Sequence, residues 1–112
     1  MQLIEQKCRP CSGQTPPLTN KEAQDFLREI PGWTLKDSVI ERVFQFKDFK
    51  GAMRFVNQVA LTAEEEGHHP DIHIYYNKVR LELTTHKIKG LSENDFILAA
   101  KIDVLINTTA AV

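Results

Sequence analysis

The sequence predicts an α+β domain, a four-stranded antiparallel sheet with three helices on one face, in the order α-β-β-α-β-β-α. Three observations predict it. Two pairs of alternating apolar and polar runs are each joined by a short polar turn, as hairpins are. A long segment with apolar residues at three- and four-residue spacing separates the two pairs. A hydroxyl or carboxylate residue stands ahead of each helical segment, where it can cap free backbone N–H groups.

Residues 1 to 18 read as an irregular N-terminal tail, because Pro10, Gly13, Pro16 and Pro17 exclude long elements. Thr19 and Glu22 form a capping box, so the first helix starts there. Its apolar residues Ala23, Phe26, Leu27 and Ile30 share a face, and Pro31-Gly32 ends it. Trp33 to Lys36 reads as a short strand, Asp37-Ser38 as a tight turn and residues 39 to 46 as a second strand. There Ile40, Arg42, Phe44 and Phe46 share the core-facing parity, with Arg42 the odd member.

Asp48 caps the central helix, whose apolar stripe is Phe49, Ala52, Met53, Val56, Val59, Ala60 and Ala63. Leu61 lies outside it, as an isolated exposed residue or an oligomer contact. The helix ends in Glu64, Glu65 and Glu66; Glu65 points away from the stripe, and Glu64 and Glu66 flank it. Carboxylates at a C-terminus oppose the helix dipole, so helix stability does not explain them. Gly67 and Pro70 then bracket His68-His69. Ile72, Ile74 and Tyr76 alternate against Asp71, His73 and Tyr75. Asn77-Lys78 reads as the hairpin turn. Val79, Leu81 and Leu83 follow as the core set, with Arg80, Glu82, Thr84 and His86 on the polar face. Ser92 and Asp95 open the last helix, which is apolar around most of its circumference and so needs cover on more than one side, as a second subunit would give. One domain is expected over residues 19–107, with 108–112 frayed.

A net charge of −1 with dispersed Lys and Arg predicts no direct nucleic-acid partner. No apolar run has the length of a membrane span and no secretory leader opens the chain, so cytoplasmic residence is the expectation. Cys8 and Cys11 have Cys-x-x-Cys spacing, but in a Pro- and Gly-rich loop with no second ligand pair. They read as a reduced tail rather than a zinc or redox site.

The chemistry concentrates in the histidines. Two adjacent histidines at a helix-to-strand corner cannot both point into a core, so at least one is accessible. The hairpin brings the segment ending in His86 back toward that corner, where three imidazoles and a carboxylate can meet. Imidazole suits proton transfer near neutral pH. The spacing fits no metal-site signature, so no metal is expected, and no Gly-x-Ser-x-Gly elbow supplies a nucleophile.

Glu64 and His68-His69-Pro70, then Tyr76-Asn77-Lys78-Val79, Thr84-Thr85-His86, Gly90-Leu91-Ser92 and Asp95 resemble the signature of the pterin-4a-carbinolamine dehydratase family. The resemblance runs over about residues 19 to 107 and covers element order as well as motifs. It implies the fold derived above, a homodimer or homotetramer, and a hydro-lyase that takes 4a-hydroxytetrahydropterin to quinonoid dihydropterin and water with no cofactor. Carried over by position, His68, His69 and His86 are its catalytic histidines: His68 and His86 move protons and His69 orients the pterin. Glu64 is the acidic partner that holds a histidine tautomer or raises a histidine's pKa, and Asp95 is a supporting acid whose position helix capping alone also accounts for. His73 matches no catalytic position and serves as an internal control. Ile72 stands where animal members carry a Trp, so an aromatic wall is missing or supplied elsewhere. A non-catalytic interaction module, an assembly factor or a transcriptional dimerisation cofactor, is the alternative. The intact histidine set favours catalysis.

Overall fold

A computed structural model of the chain describes residues 2–10 and 13–108. Helix α1 (Asn20–Leu27) leads into strands β1 (Thr34–Lys36) and β2 (Val39–Gln45). Helix α2 (Phe49–Glu66), strands β3 (Asp71–Tyr75) and β4 (Lys78–Leu83) and helix α3 (Glu93–Thr108) complete the order. The sheet is antiparallel throughout, with spatial order β1-β2-β4-β3. Leu35, Ile40, Phe44, Val79, Leu81, Leu83 and Ile72 face the helices, and Glu41, Val43, Arg80 and Glu82 share the other face.

The local signals act as the sequence predicts. Both legs of the capping box form, with Glu22 N–H donating to Thr19 Oγ1 at 3.2 Å and Thr19 N–H to Glu22 Oε1 at 2.8 Å. Asp48 Oδ1 accepts from Gly51 N–H at 2.8 Å. Arg42, the charged member of the core parity, reaches Asp103 Oδ1 at 2.8 Å, and Trp33 Nε1–H donates to the same oxygen at 2.8 Å. The guanidinium lies 4.6 Å from the Phe44 ring centroid, so its desolvated face meets a π surface.

Four expectations are corrected. The α1 helix stops at Leu27, and Ile30 reaches the core from a tighter run of i→i−3 bonds closed by its own N–H on Leu27 O. The buried face of α2 is rotated: Phe55 is fully buried, whereas Phe49 and Ala60 are exposed. Phe55 packs on Phe44 and Phe46, with ring centroids at 4.8 and 5.2 Å. Truncating such a ring costs about 3–5 kcal/mol. The hairpin loop is Tyr76-Asn77, one residue earlier than expected, with Tyr76 in left-handed backbone (φ 55°). Tyr76 therefore leaves the core-facing set, and Asn77 is pinned to β2 by bonds in both directions with the Phe46 backbone. Finally, β4 ends at Leu83, so His86 is not a strand residue; it opens a 3-10 turn, His86–Ile88.

Among the described residues before Thr19 the chain is irregular apart from a 3-10 turn at Leu3–Glu5, but it is tied to the domain. Leu3 is buried in the core, Leu3 N–H donates to Glu29 Oε1 at 3.2 Å, and Lys101 Nζ donates to Ile4 O at 3.3 Å. This turn covers part of the all-round apolar surface of α3, for which the sequence suggested a second subunit. Cys11 lies outside the described residues, as do positions 109–112 of the expected frayed end.

Candidate functional site

Three backbone devices converge on one cleft of about 470 Å³, within the range of small-molecule sites. The first is the end of α2. Gly67 adopts left-handed backbone (φ 67°), and His68 N–H bonds back to Ala63 O at 3.2 Å, the 6→1 bond of a Schellman motif. This reversal turns His68 inward and His69 outward. The second device is the bridge between Thr85 and Gly90, which folds residues 86–88 into their turn and sets His86 at the cleft rim. The third is the first turn of α3, which brings Asn94 and Asp95 beneath the cleft.

Asp95 is completely buried and fully engaged. Its Oδ2 accepts from Thr85 Oγ1 and from Ser92 N–H, both at 2.9 Å, and the Thr85 hydroxyl is in turn 2.7 Å from Ser92 Oγ. Its Oδ1 lies 2.6 Å from His68 Nε2. With both Oδ2 lone pairs taken by donors, Oδ1 is left to face the imidazole; for Asp95 as a carboxylate, His68 Nε2 carries the proton and donates. That bond fixes the tautomer and leaves Nδ1 as the basic nitrogen of the ring. His68 is 12 % exposed, enough to reach the cleft from a largely dry pocket.

His69 is the contrasting neighbour. Its Nε2 is 2.6 Å from Glu64 Oε2, but the two side chains are 58 % and 76 % exposed, so water competes for both. His86 is exposed and lines the same cleft, and among the described residues no hydrogen bond holds its ring. His68, His69 and His86 thus share one concavity. Glu64 touches His69 from outside its lining, and Asp95 supports His68 from below. His73 is elsewhere, paired with Glu82 across β3 and β4 at 2.8 Å. Among the described residues no group of three or more His, Cys, Asp or Glu side chains is arranged to hold a metal ion.

Sequence reasoning missed one wall. Glu66, Asn94 and the segment at Cys8 and Arg9 also line the cleft. Glu66 Oε1 accepts Cys8 N–H at 2.9 Å, and Lys101 Nζ lies 3.5 Å from its other oxygen. Burial alone would raise the Glu66 carboxyl, but the Cys8 amide and the charges of Lys101 and Lys7 outweigh it and hold it below the usual value. Burial, reinforced by Glu66, pushes the Cys8 thiol up to about 12, so it is no nucleophile near neutral pH. The signal for Glu66 was available: a buried face centred on Phe55, Val59 and Ala63 continues to position 66, not 64.

Comparison with known proteins gives a consistent set. The family model described as "Pterin 4 alpha carbinolamine dehydratase" matches residues 16–105. A Nitrosomonas eutropha protein named "Putative pterin-4-alpha-carbinolamine dehydratase" is 50% identical over 105 residues, covering 93% of each chain. A Methylococcus capsulatus protein of the same name is 49% identical, covering 92% of each. A crystal structure from Brucella melitensis, described as a transcriptional coactivator/pterin dehydratase, superposes with TM-score 0.76 at 38% identity, covering 80% of this chain and 97% of that one. A pterin dehydratase-like protein described as a RuBisCO assembly factor in the alpha-carboxysome shares the fold alone, with TM-score 0.55 at 22% identity over 71% of this chain and 89% of that one.

Proposed function

The chain belongs to the pterin-4-alpha-carbinolamine dehydratase family, and from that premise we propose that it dehydrates 4a-hydroxytetrahydropterin by histidine acid–base catalysis. One observation carries the reading: His68, its tautomer set by buried Asp95, opens into the cleft that His69 and His86 also line. The C4a–O bond breaks, the leaving hydroxyl takes a proton and departs as water, and the N5 proton is lost as C4a=N5 forms. No electrons change hands. His68 Nδ1 is the base suited to the N5 proton, because the Asp95 bond leaves that nitrogen unprotonated. His86, with no hydrogen bond holding its ring, is free to turn and protonate the hydroxyl. His69, steadied by Glu64, orients the pterin. Two positioned groups of this kind each contribute about 10²–10⁴-fold. The product, quinonoid dihydropterin, keeps the substrate's oxidation level and is left for a reductase to recycle.

Self-association as a homodimer or homotetramer belongs to this reading, supported by exposed Leu61 and Val104 on α2 and α3, and light scattering tests it. So does cytoplasmic residence, which fractionation tests; no described helix is long and apolar enough to cross a membrane. The Brucella neighbour's description adds a coactivator role, and a binding role here would coexist with catalysis rather than replace it. The experiment is turnover of 4a-hydroxytetrahydropterin by wild type, His68→Ala, His86→Ala and His73→Ala. The first two variants lose at least about 100-fold in kcat and the third is unchanged. Full activity in both His68→Ala and His86→Ala sinks the reading.

A further inference from the structure

The cleft has a cationic rim that proton transfer does not use. Arg9 and Lys87 both line it, one from the N-terminal strap and the other from the His86 turn. Both are exposed, and among the described residues neither side chain is in an ion pair. The one carboxylate among the lining residues, Glu66, is already committed to the Cys8 amide and to Lys101. The mouth therefore offers two positive charges held in no ion pair, and the acids that touch its histidines, Glu64 and Asp95, are each bonded to an imidazole.

Arg9 is not there by chance of a loose tail. Arg9 N–H donates to Asn94 Oδ1 at 2.9 Å, and Asn94 Nδ2–H donates back to Arg9 O at 2.5 Å. This pairing copies the two-way bonding of a strand neighbour. Together with the Cys8 amide on Glu66 and Leu3 in the core, it anchors the strap at several points before residue 10. The anchors use backbone atoms of residues 8 and 9, so the Arg9 side chain is left for the cleft.

We propose that Arg9 and Lys87 are specificity-determining residues that favour pterins bearing an anionic substituent at the edge of the ring. The inference rests on the dehydratase reading for the pterin itself. Exposed cations are screened, so the preference is modest and salt-dependent.

The test compares binding of two fluorescent pterins that differ in one group, pterin-6-carboxylate and neutral 6-hydroxymethylpterin, to the full chain at low and high salt. The carboxylate binds about three- to tenfold tighter at low salt, and the gap narrows as salt rises. Arg9→Gln and Lys87→Gln each reduce the gap, and the double variant closes it. Arg9→Lys restores most of it, which a packing role for Arg9 would not do. Equal affinity of the wild type for both pterins, or a gap untouched in the double variant, overturns the selectivity while leaving the dehydratase reading intact. Failure of the wild type to bind either pterin overturns the selectivity, and the dehydratase reading falls with it where 4a-hydroxytetrahydropterin is not turned over either.

Discussion

Asp95→Asn isolates the tautomer argument, because it keeps shape and volume while changing one proton. The carboxylate is held by three contacts in a fully buried setting: Thr85 Oγ1–H and Ser92 N–H on Oδ2, and His68 Nε2–H on Oδ1. An Asn side chain keeps its oxygen on the side with two donors, since turning it would face an NH₂ against both. Its NH₂ then points at His68 Nε2, and two donors cannot share that contact. The ring responds by moving its proton to Nδ1, so that Nε2 accepts from the amide. Nδ1 is then protonated and no longer a base. Loss of one general-base contribution lowers kcat by about 10²–10⁴-fold, which is about 2.7–5.4 kcal/mol of barrier. Neutral hydrogen bonds in place of charge-assisted ones cost about 1–3 kcal/mol of stability. KM moves little, since His69 and the rim are untouched. Steady-state turnover gives kcat and KM, and urea unfolding gives the stability change. A folded Asp95→Asn protein with kcat within about threefold of wild type refutes the assigned tautomer.

Other outcomes follow from the same geometry. Gly67→Ala meets no atom within 4 Å of the new Cβ, so its cost is the left-handed backbone alone, about 1–2 kcal/mol in urea unfolding, with lower kcat as His68 shifts. Glu66 has a carboxyl held below its unfolded value of 4.5, so its stabilising contribution is present above about pH 4.5 and is lost as pH falls through the lower folded value. A pH series of unfolding midpoints shows this acid loss in wild type and a flatter profile in Glu66→Gln. Cys8 titrates near 12 when folded against 9.0 unfolded, so any stability it contributes is present below pH 9 and declines from there toward 12. Its alkylation at pH 8 is slower in the folded chain than in urea; equal rates would show that the strap is not seated.

The fold was legible because its signals are local. Thr19 with Glu22, Asp48 with Gly51 and the Asp37-Ser38 turn are each decided within four residues, and the structure uses each one. What misled was decided at a distance. Periodicity alone centres the α2 stripe without Phe55, because it admits several overlapping arcs on a helix this rich in small residues. The Phe44 and Phe46 rings select the arc that buries Phe55. The hairpin loop slipped by one because Asn77 looks like a turn residue on either side. Its side-chain bond to Phe46 O, across 31 residues of sequence, fixes the register.

The site divides along the same line. The Gly-His-His-Pro corner is local, and the sequence exposes it. Which of the two histidines gains a rigid partner is not local. One residue step around the Gly67 reversal sends His69 to Glu64 in water and His68 to Asp95 in the interior. A hydrogen bond of the same 2.6 Å length therefore has different consequences at the two positions. At His69 it orients a ring that solvent also solvates, and removing Glu64 costs about 0–1 kcal/mol. At His68 the bond is held by a carboxylate that cannot turn without stranding Thr85 and Ser92. Glu64→Gln is therefore expected to raise KM by a few-fold and leave kcat within about twofold, the opposite pattern to Asp95→Asn. Steady-state kinetics on the two variants side by side separates the roles. A larger kcat loss in Glu64→Gln than in Asp95→Asn would reverse the ranking of the two acids.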